Sequence, residues 1–164
     1  MLDSTSPILF ESVSNVTATP SVELGSRKRV SGNEYVYVYN TGAASISQGQ
    51  GAYLPAATFS SGYSVTVSNA ASQSGGEKLV GIAHNAAIAA SSYGWVMCKG
   101  LSLIALDASE VSMNSGDKLV PGVDGGFVVA AATLSTGLYI GVAINSLVTT
   151  VGTGKAWIRS PLFG

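Results

Sequence analysis

Residues 79–85 read Leu79-Val80-Gly81-Ile82-Ala83-His84-Asn85, and residues 139–145 repeat the pattern as Tyr139-Ile140-Gly141-Val142-Ala143-Ile144-Asn145. In both copies aliphatic and β-branched residues bracket a glycine and the run closes on Asn. Short apolar runs of this kind, bounded by turn residues and without an i, i+3, i+4 stripe, predict buried strands. A glycine weakens a strand interior unless a bulge or a close backbone approach demands it, so Gly81 and Gly141 predict tight packing positions.

The flanking segments correspond as well. Glu34-Tyr35-Val36-Tyr37-Val38-Tyr39-Asn40 alternates tyrosine and valine, which places the two types on opposite faces of a strand, and Leu101-Ser102-Leu103-Ile104-Ala105-Leu106-Asp107 has the same length and an Asx end. The turn Ser47-Gln48-Gly49-Gln50 matches Asn114-Ser115-Gly116-Asp117, each opening a short run that meets a proline, Pro55 or Pro121. Gly62-Tyr63-Ser64-Val65 matches Gly126-Phe127-Val128-Val129. Trp95 in Gly94-Trp95-Val96-Met97-Cys98-Lys99 aligns with Trp157 in Ala156-Trp157-Ile158-Arg159-Ser160. These correspondences predict an all-β fold of about ten strands in two similar five-strand halves, packed as a β-sandwich or compact barrel. Matched tryptophans in two packed halves are expected in the core.

Two regions result: an extended N-terminal arm over residues 1–33 and an internally duplicated β domain over 34–164. The arm is rich in Ser, Thr and Pro, and its scattered apolar residues hold no lasting periodicity. Such a segment cannot bury a core of its own and is expected to order on a partner's surface, the alternative being a disordered tail. Ile8, Leu9, Phe10 and Val13 are its expected apolar anchors on a partner or a neighbouring subunit. Arg27-Lys28-Arg29, the one basic run of the chain, is expected as a solvated hinge or a clamp on an acidic partner. The tyrosine face of Tyr35, Tyr37 and Tyr39 is a candidate subunit interface.

Composition bounds the function. Charged residues make up 10% of the 164-residue chain, against about 25% in an average soluble protein. A sparsely charged surface suits coverage by partners. The formal net charge of −1 provides no global field for nucleic acid or an anionic membrane, and three clustered cations without interleaved aromatics give little phosphate affinity. No apolar run approaches the roughly 18 residues of a membrane helix, and the N-terminus lacks the basic and apolar regions of a signal peptide, so synthesis in the cytoplasm is expected. Cys98, the single cysteine, rules out an intrachain disulfide and fits a small buried strand residue.

The chemistry-bearing residues form no constellation. His84 is the single histidine, so a multi-histidine metal site is excluded, and its partner in the repeat, Ile144, shows that the position accepts an apolar group. His84 is therefore expected as a structural strand end. Asp107, Glu110, Asp117 and Asp124 lie at turns, where Asp serves local hydrogen bonding. Gly152-Thr153-Gly154-Lys155 lacks the spacing and following helix of a phosphate loop. No cofactor, metal or catalytic group is expected, and the chain reads as a non-enzyme.

The run Leu79-Val80-Gly81-Ile82-Ala83, then Tyr93-Gly94-Trp95-Val96, Ser115-Gly116-Asp117-Lys118-Leu119, Gly125-Gly126-Phe127-Val128, Ile140-Gly141-Val142-Ala143 and Ala156-Trp157-Ile158 resembles the small β-rich capsid decoration, or cement, proteins of tailed bacteriophages. The likeness covers residues 34–160. It implies a non-enzymatic virion protein on the capsid exterior that bridges major capsid protein subunits, commonly as a homotrimer, without nucleic acid or membrane as partners. The alternative is a receptor- or glycan-binding head-fibre or tail module, in which Trp95 and Trp157 would stack on sugars.

Overall fold

A computed structural model describes residues 11–55, 63–67, 79–107, 110, 112–122, 126–129, 140–146 and 153–160. Among them are ten strands and no helix: β1 (Arg27–Val30), β2 (Asn33–Asn40), β3 (Gly51–Tyr53), β4 (Ser64–Val67), β5 (Leu79–Ile82), β6 (Tyr93–Ala105), β7 (Lys118–Pro121), β8 (Phe127–Val129), β9 (Gly141–Ala143) and β10 (Thr153–Arg159).

The first half closes into a five-strand barrel. β2 runs parallel to β4 through Tyr39↔Ser64 and Asn40↔Val65. β4 pairs antiparallel with β3, β3 with β5, and β5 with β6. The ring shuts where β6 returns antiparallel to β2, from Tyr35↔Met97 to Tyr39↔Tyr93. Closure satisfies every edge in the ring, which is the surest way for an antiparallel sheet to avoid unpaired backbone.

The second half repeats the connectivity. β10 pairs with the distal part of β6, then come β9, β7 and β8 in that order. A parallel bridge, Leu106↔Phe127, completes the circuit at the place where β2 met β4. The two halves are thus not separate bodies joined by a linker. The 13-residue β6 belongs to both, ending the first ring with Tyr93 to Lys99 and beginning the second with Leu101 to Ala105. The sequence had suggested two strands here, and β1 supplies the tenth strand in their place.

The duplication holds at the level of single hydrogen bonds. Gly49 N–H donates to Ala83 O at 2.8 Å, and Gly116 N–H to Ala143 O at 2.8 Å. Ser47 N–H donates to the Gln50 side-chain oxygen at 2.7 Å, and Asn114 N–H to the Asp117 carboxylate at 2.7 Å. The turns also share a left-handed glycine, Gly49 at φ 87° and Gly116 at φ 95°, a conformation that costs other residues steric strain.

Three apolar clusters hold the fold. Val36, Val38, Ala52, Val65, Val80, Val96 and Cys98 fill the first barrel with Ile46 and Ile88. Ile104, Leu106, Leu119, Phe127, Ile140, Ala156 and Ile158 fill the second, and Tyr53, Leu79 and Ile82 of the first barrel join the same cluster from outside, welding the rings together. Each fully buried aliphatic contributes about 1.5–3 kcal/mol over its exposed state. The third cluster lies on the outer face of the first barrel: Tyr35, Tyr37, Trp95 and Met97 beneath Val22, with Val13, Leu24 and Val30 at its margin.

Candidate interaction surfaces

The third cluster shows what the described part of the arm does. Thr17 and Tyr93 exchange both backbone bonds, at 3.0 and 2.8 Å, so the arm is fastened antiparallel to β6. Further along, Gly25 N–H donates to Tyr37 O and Tyr37 N–H to Ser26 O, both at 2.9 Å. The Tyr37 hydroxyl meets Ser21 Oγ at 2.9 Å. At the near end Lys28 Nζ donates to the Glu11 carbonyl and Ser21 Oγ to the Glu11 carboxylate.

This arrangement corrects the expected tyrosine interface. The alternation on β2 is as predicted, valines inward and tyrosines outward. The outward face, however, is taken by the chain's own arm: Tyr35 and Tyr37 are buried, and Tyr39, half-buried, packs on Tyr93 with ring centroids 4.5 Å apart. Val13 is half-buried at the edge of the same cluster. Ile8, Leu9 and Phe10 lie outside the described residues. Arg27, Lys28 and Arg29 form not a hinge but most of β1, which extends the sheet from β2. Arg29 pairs with Glu34, and Lys99 Nζ stands 3.9 Å from the same carboxylate. Arg29 holds the Glu34 carboxyl below its ordinary range.

On the second barrel the corresponding outer face is open. Trp157 is 53% exposed, Leu101 38% and Ile144 44%. Trp157 lies opposite Leu101 on one side and Val142 on the other. Lys99, Lys155 and Arg159 are exposed along the same outward rows of β6 and β10.

The two tryptophans are not equivalent, contrary to the sequence alignment. Met97 is the partner of Ile82, and Trp157 the partner of Val142, so the register places Met97 on Trp157 and Trp95 on Lys155. Trp95 is core, its ring tilted against that of Tyr37 with centroids 5.0 Å apart. Trp157 is surface. The surface strip was visible in the sequence as the alternation Lys99-Leu101-Leu103 and Lys155-Trp157-Arg159, but alternation tells only which residues share a face, not which face is covered.

His84 Nδ1 lies 3.0 Å from Ser102 Oγ. This is not a nucleophile and its base. Ser102 is buried and its hydroxyl donates to Leu103 O at 2.7 Å, so the imidazole nitrogen donates to it and has no proton to take. Partial burial pushes the imidazole below its usual range. Burial likewise raises the Cys98 thiol, away from the thiolate that would make it reactive. Among the described residues no cluster of His, Cys, Asp and Glu has the spacing of a metal site, and no helix is long and apolar enough to cross a membrane.

Two closed five-strand rings sharing one long strand, with an arm across one outer face, define the chain as a tandem-barrel β fold. A protein of known structure shares this fold: the N base of head fibre gp8.5 of bacteriophage phi29, with a TM-score of 0.51 and 13% identity over 77% of this chain and 95% of that one. No family model matches the chain, and no curated protein matches it in sequence.

Proposed function

We propose that this chain is a non-enzymatic structural protein of a bacteriophage virion, seated on the outside of the head, where it decorates the capsid and ties major capsid protein subunits together. The observation that carries this reading is the fold likeness to a head-fibre base over nearly all of that base's length. A fused pair of barrels supports it, because a rigid body with two similar ends can contact two neighbouring subunits at once. On a lattice, modest contacts then add through effective concentration. Self-association as a homotrimer belongs to the same reading. It would use surfaces other than Tyr35 and Tyr37, which the arm already covers.

The second reading is a head-fibre or tail module whose outer part reaches a receptor or glycan. It is favoured by the same neighbour and by the exposure of Trp157. Electron microscopy of heads stripped of the protein and then incubated with it separates the two. Cementing fills every equivalent lattice position and raises the temperature at which heads release DNA. A fibre base fills few positions and leaves that temperature unchanged. Failure to bind heads at all would sink the decorating and head-fibre readings and leave the tail module.

A further inference from the structure

We propose that the open outer face of the second barrel binds a short, extended, acidic segment of a partner protein, through an apolar row bounded by cations. The pairing registers set the side chains of this face in rows that cross the strands, since residues opposite each other in a ladder project from the same side. In the first row Arg29 is opposite Glu34, Glu34 opposite Lys99 and Lys99 opposite Arg159, from β1 through β2 and β6 to β10. In the second, Leu101 is opposite Trp157, Trp157 opposite Val142 and Val142 opposite Lys118, from β6 through β10 and β9 to β7. In the third, Leu103 is opposite Lys155, whose carbonyl accepts from Ile144 N–H at 2.9 Å.

These rows gather five of the chain's eight basic residues, Arg29, Lys99, Lys118, Lys155 and Arg159. The one acid in the rows is Glu34, which is engaged with Arg29 and stands 3.9 Å from Lys99. A chain of net charge −1 thus carries a local excess of positive charge on one face. Leu101 and Trp157, both exposed, and Val142, half-buried, lie between the cations.

The apolar row asks for apolar side chains, and cations on both flanks ask for carboxylates. A polypeptide can offer both. Five cations give nucleic acid only a modest counterion-release term, and Leu101 and Val142 offer its bases no stacking partner. A sugar would stack on Trp157, but the groups beside the ring are aliphatics and cations rather than neutral donors and acceptors for hydroxyls. From β6 to β7 the row crosses three inter-strand spacings, about 14 Å, which is the length of about four extended residues. The first barrel supplies the precedent. Its equivalent face is covered by an extended segment of the chain itself, residues 11–26, which carry Glu11 and Glu23 and neither Lys nor Arg. The surface is defined without reference to the virion reading, so either can fail while the other stands.

The test is fluorescence anisotropy of labelled probes titrated with the full chain. The probes are a synthetic octapeptide alternating glutamate with leucine, the same peptide with glutamine for glutamate, and a single-stranded oligodeoxynucleotide. The acidic peptide is expected to bind about tenfold or more tightly than the glutamine peptide at low salt, an advantage that shrinks as salt is added. Lys155→Glu with Arg159→Glu is expected to abolish that advantage, and Trp157→Ala to weaken both peptides alike. The substituted residues are exposed, so each variant should keep a cooperative urea transition. No binding of the acidic peptide, equal affinity for the two peptides, or an advantage that survives the double substitution overturns the proposal. Tighter binding of the oligonucleotide overturns it in favour of nucleic acid. A parent that sediments as a dimer, with a monomeric Trp157→Ala variant, overturns it in favour of a second copy.

Discussion

Gly81 lies directly beneath the Met97 carbonyl, so close that a Cβ at position 81 would stand 2.6 Å from the oxygen. Gly141 is placed the same way under the Trp157 carbonyl, at 2.7 Å. In each barrel the penultimate strand is thus pressed against the last, and the obstacle is backbone, which cannot swing aside. Gly81→Ala and Gly141→Ala are each expected to cost about 1–3 kcal/mol, the range for overpacking a close-packed interior. Urea denaturation of the two variants checks this. Equal midpoints with the parent would show that the strands separate without cost.

Asn40 ends β2 with its side chain fully buried. Nδ2 donates to Ala44 O at 2.9 Å and Ile88 O at 3.0 Å, and Oδ1 accepts from Gly42 N–H at 3.0 Å. One amide thereby ties the strand end to two loops. Asn40→Ala leaves these groups without partners and is expected to cost about 2–4 kcal/mol. Asn40→Asp is expected to be worse at neutral pH, since a carboxylate offers no donor to carbonyls. Thermal unfolding of both variants at pH 7 decides the order.

The repeat around Gly81 and Gly141 made the strands and the two similar halves legible, because each short strand is set by its own turn residues and alternation, while the sequence places both halves around one core where the structure gives each its own cluster. What escaped was whatever depends on a neighbour. Arg27 to Val30 lacks the aliphatic content of a strand and becomes one only because β2 offers an edge. Lys99-Gly100-Leu101 has the appearance of a break between halves, yet the chain passes through it without leaving the sheet. Trp95 and Trp157 matched by residue type, and only the pairing of Ile82 with Met97 and Val142 with Trp157 shows that they occupy different positions. The burial of Tyr35 and Tyr37 depends on where the arm lies, which no periodicity in the arm announces.

His84 provides the pH dependence. Its folded pKa is depressed below the ordinary 6.5 by burial, so the unfolded chain binds the proton more readily. Stability is then fully present above about pH 6.5 and is lost as pH falls from there towards the folded value. Glu34, whose folded pKa is also lowered, adds a loss at more acid pH through its exposed and therefore weakly coupled pair with Arg29. His84→Ile, which copies Ile144 of the second barrel, is expected to flatten the stability profile between pH 7 and pH 5. Denaturation midpoints across that range test it, and an unchanged slope would assign the dependence to another group.

Trp95 and Trp157 supply the sharpest contrast between the two barrels. Trp95 is packed among Tyr37, Tyr35 and Met97 under the arm. Trp95→Ala removes the largest side chain of that cluster and is expected to cost about 3–5 kcal/mol. It should also release the arm, making the bonds after residues 11–24 sensitive to proteolysis. Trp157 is more than half exposed, and Trp157→Ala is expected to cost no more than about 1 kcal/mol. The two variants, compared by urea denaturation and limited proteolysis, should differ in both measurements. Equal costs would mean that the outer faces of the two barrels are covered alike, and that residues beyond those of the described arm contribute as much to the second as residues 11–24 do to the first.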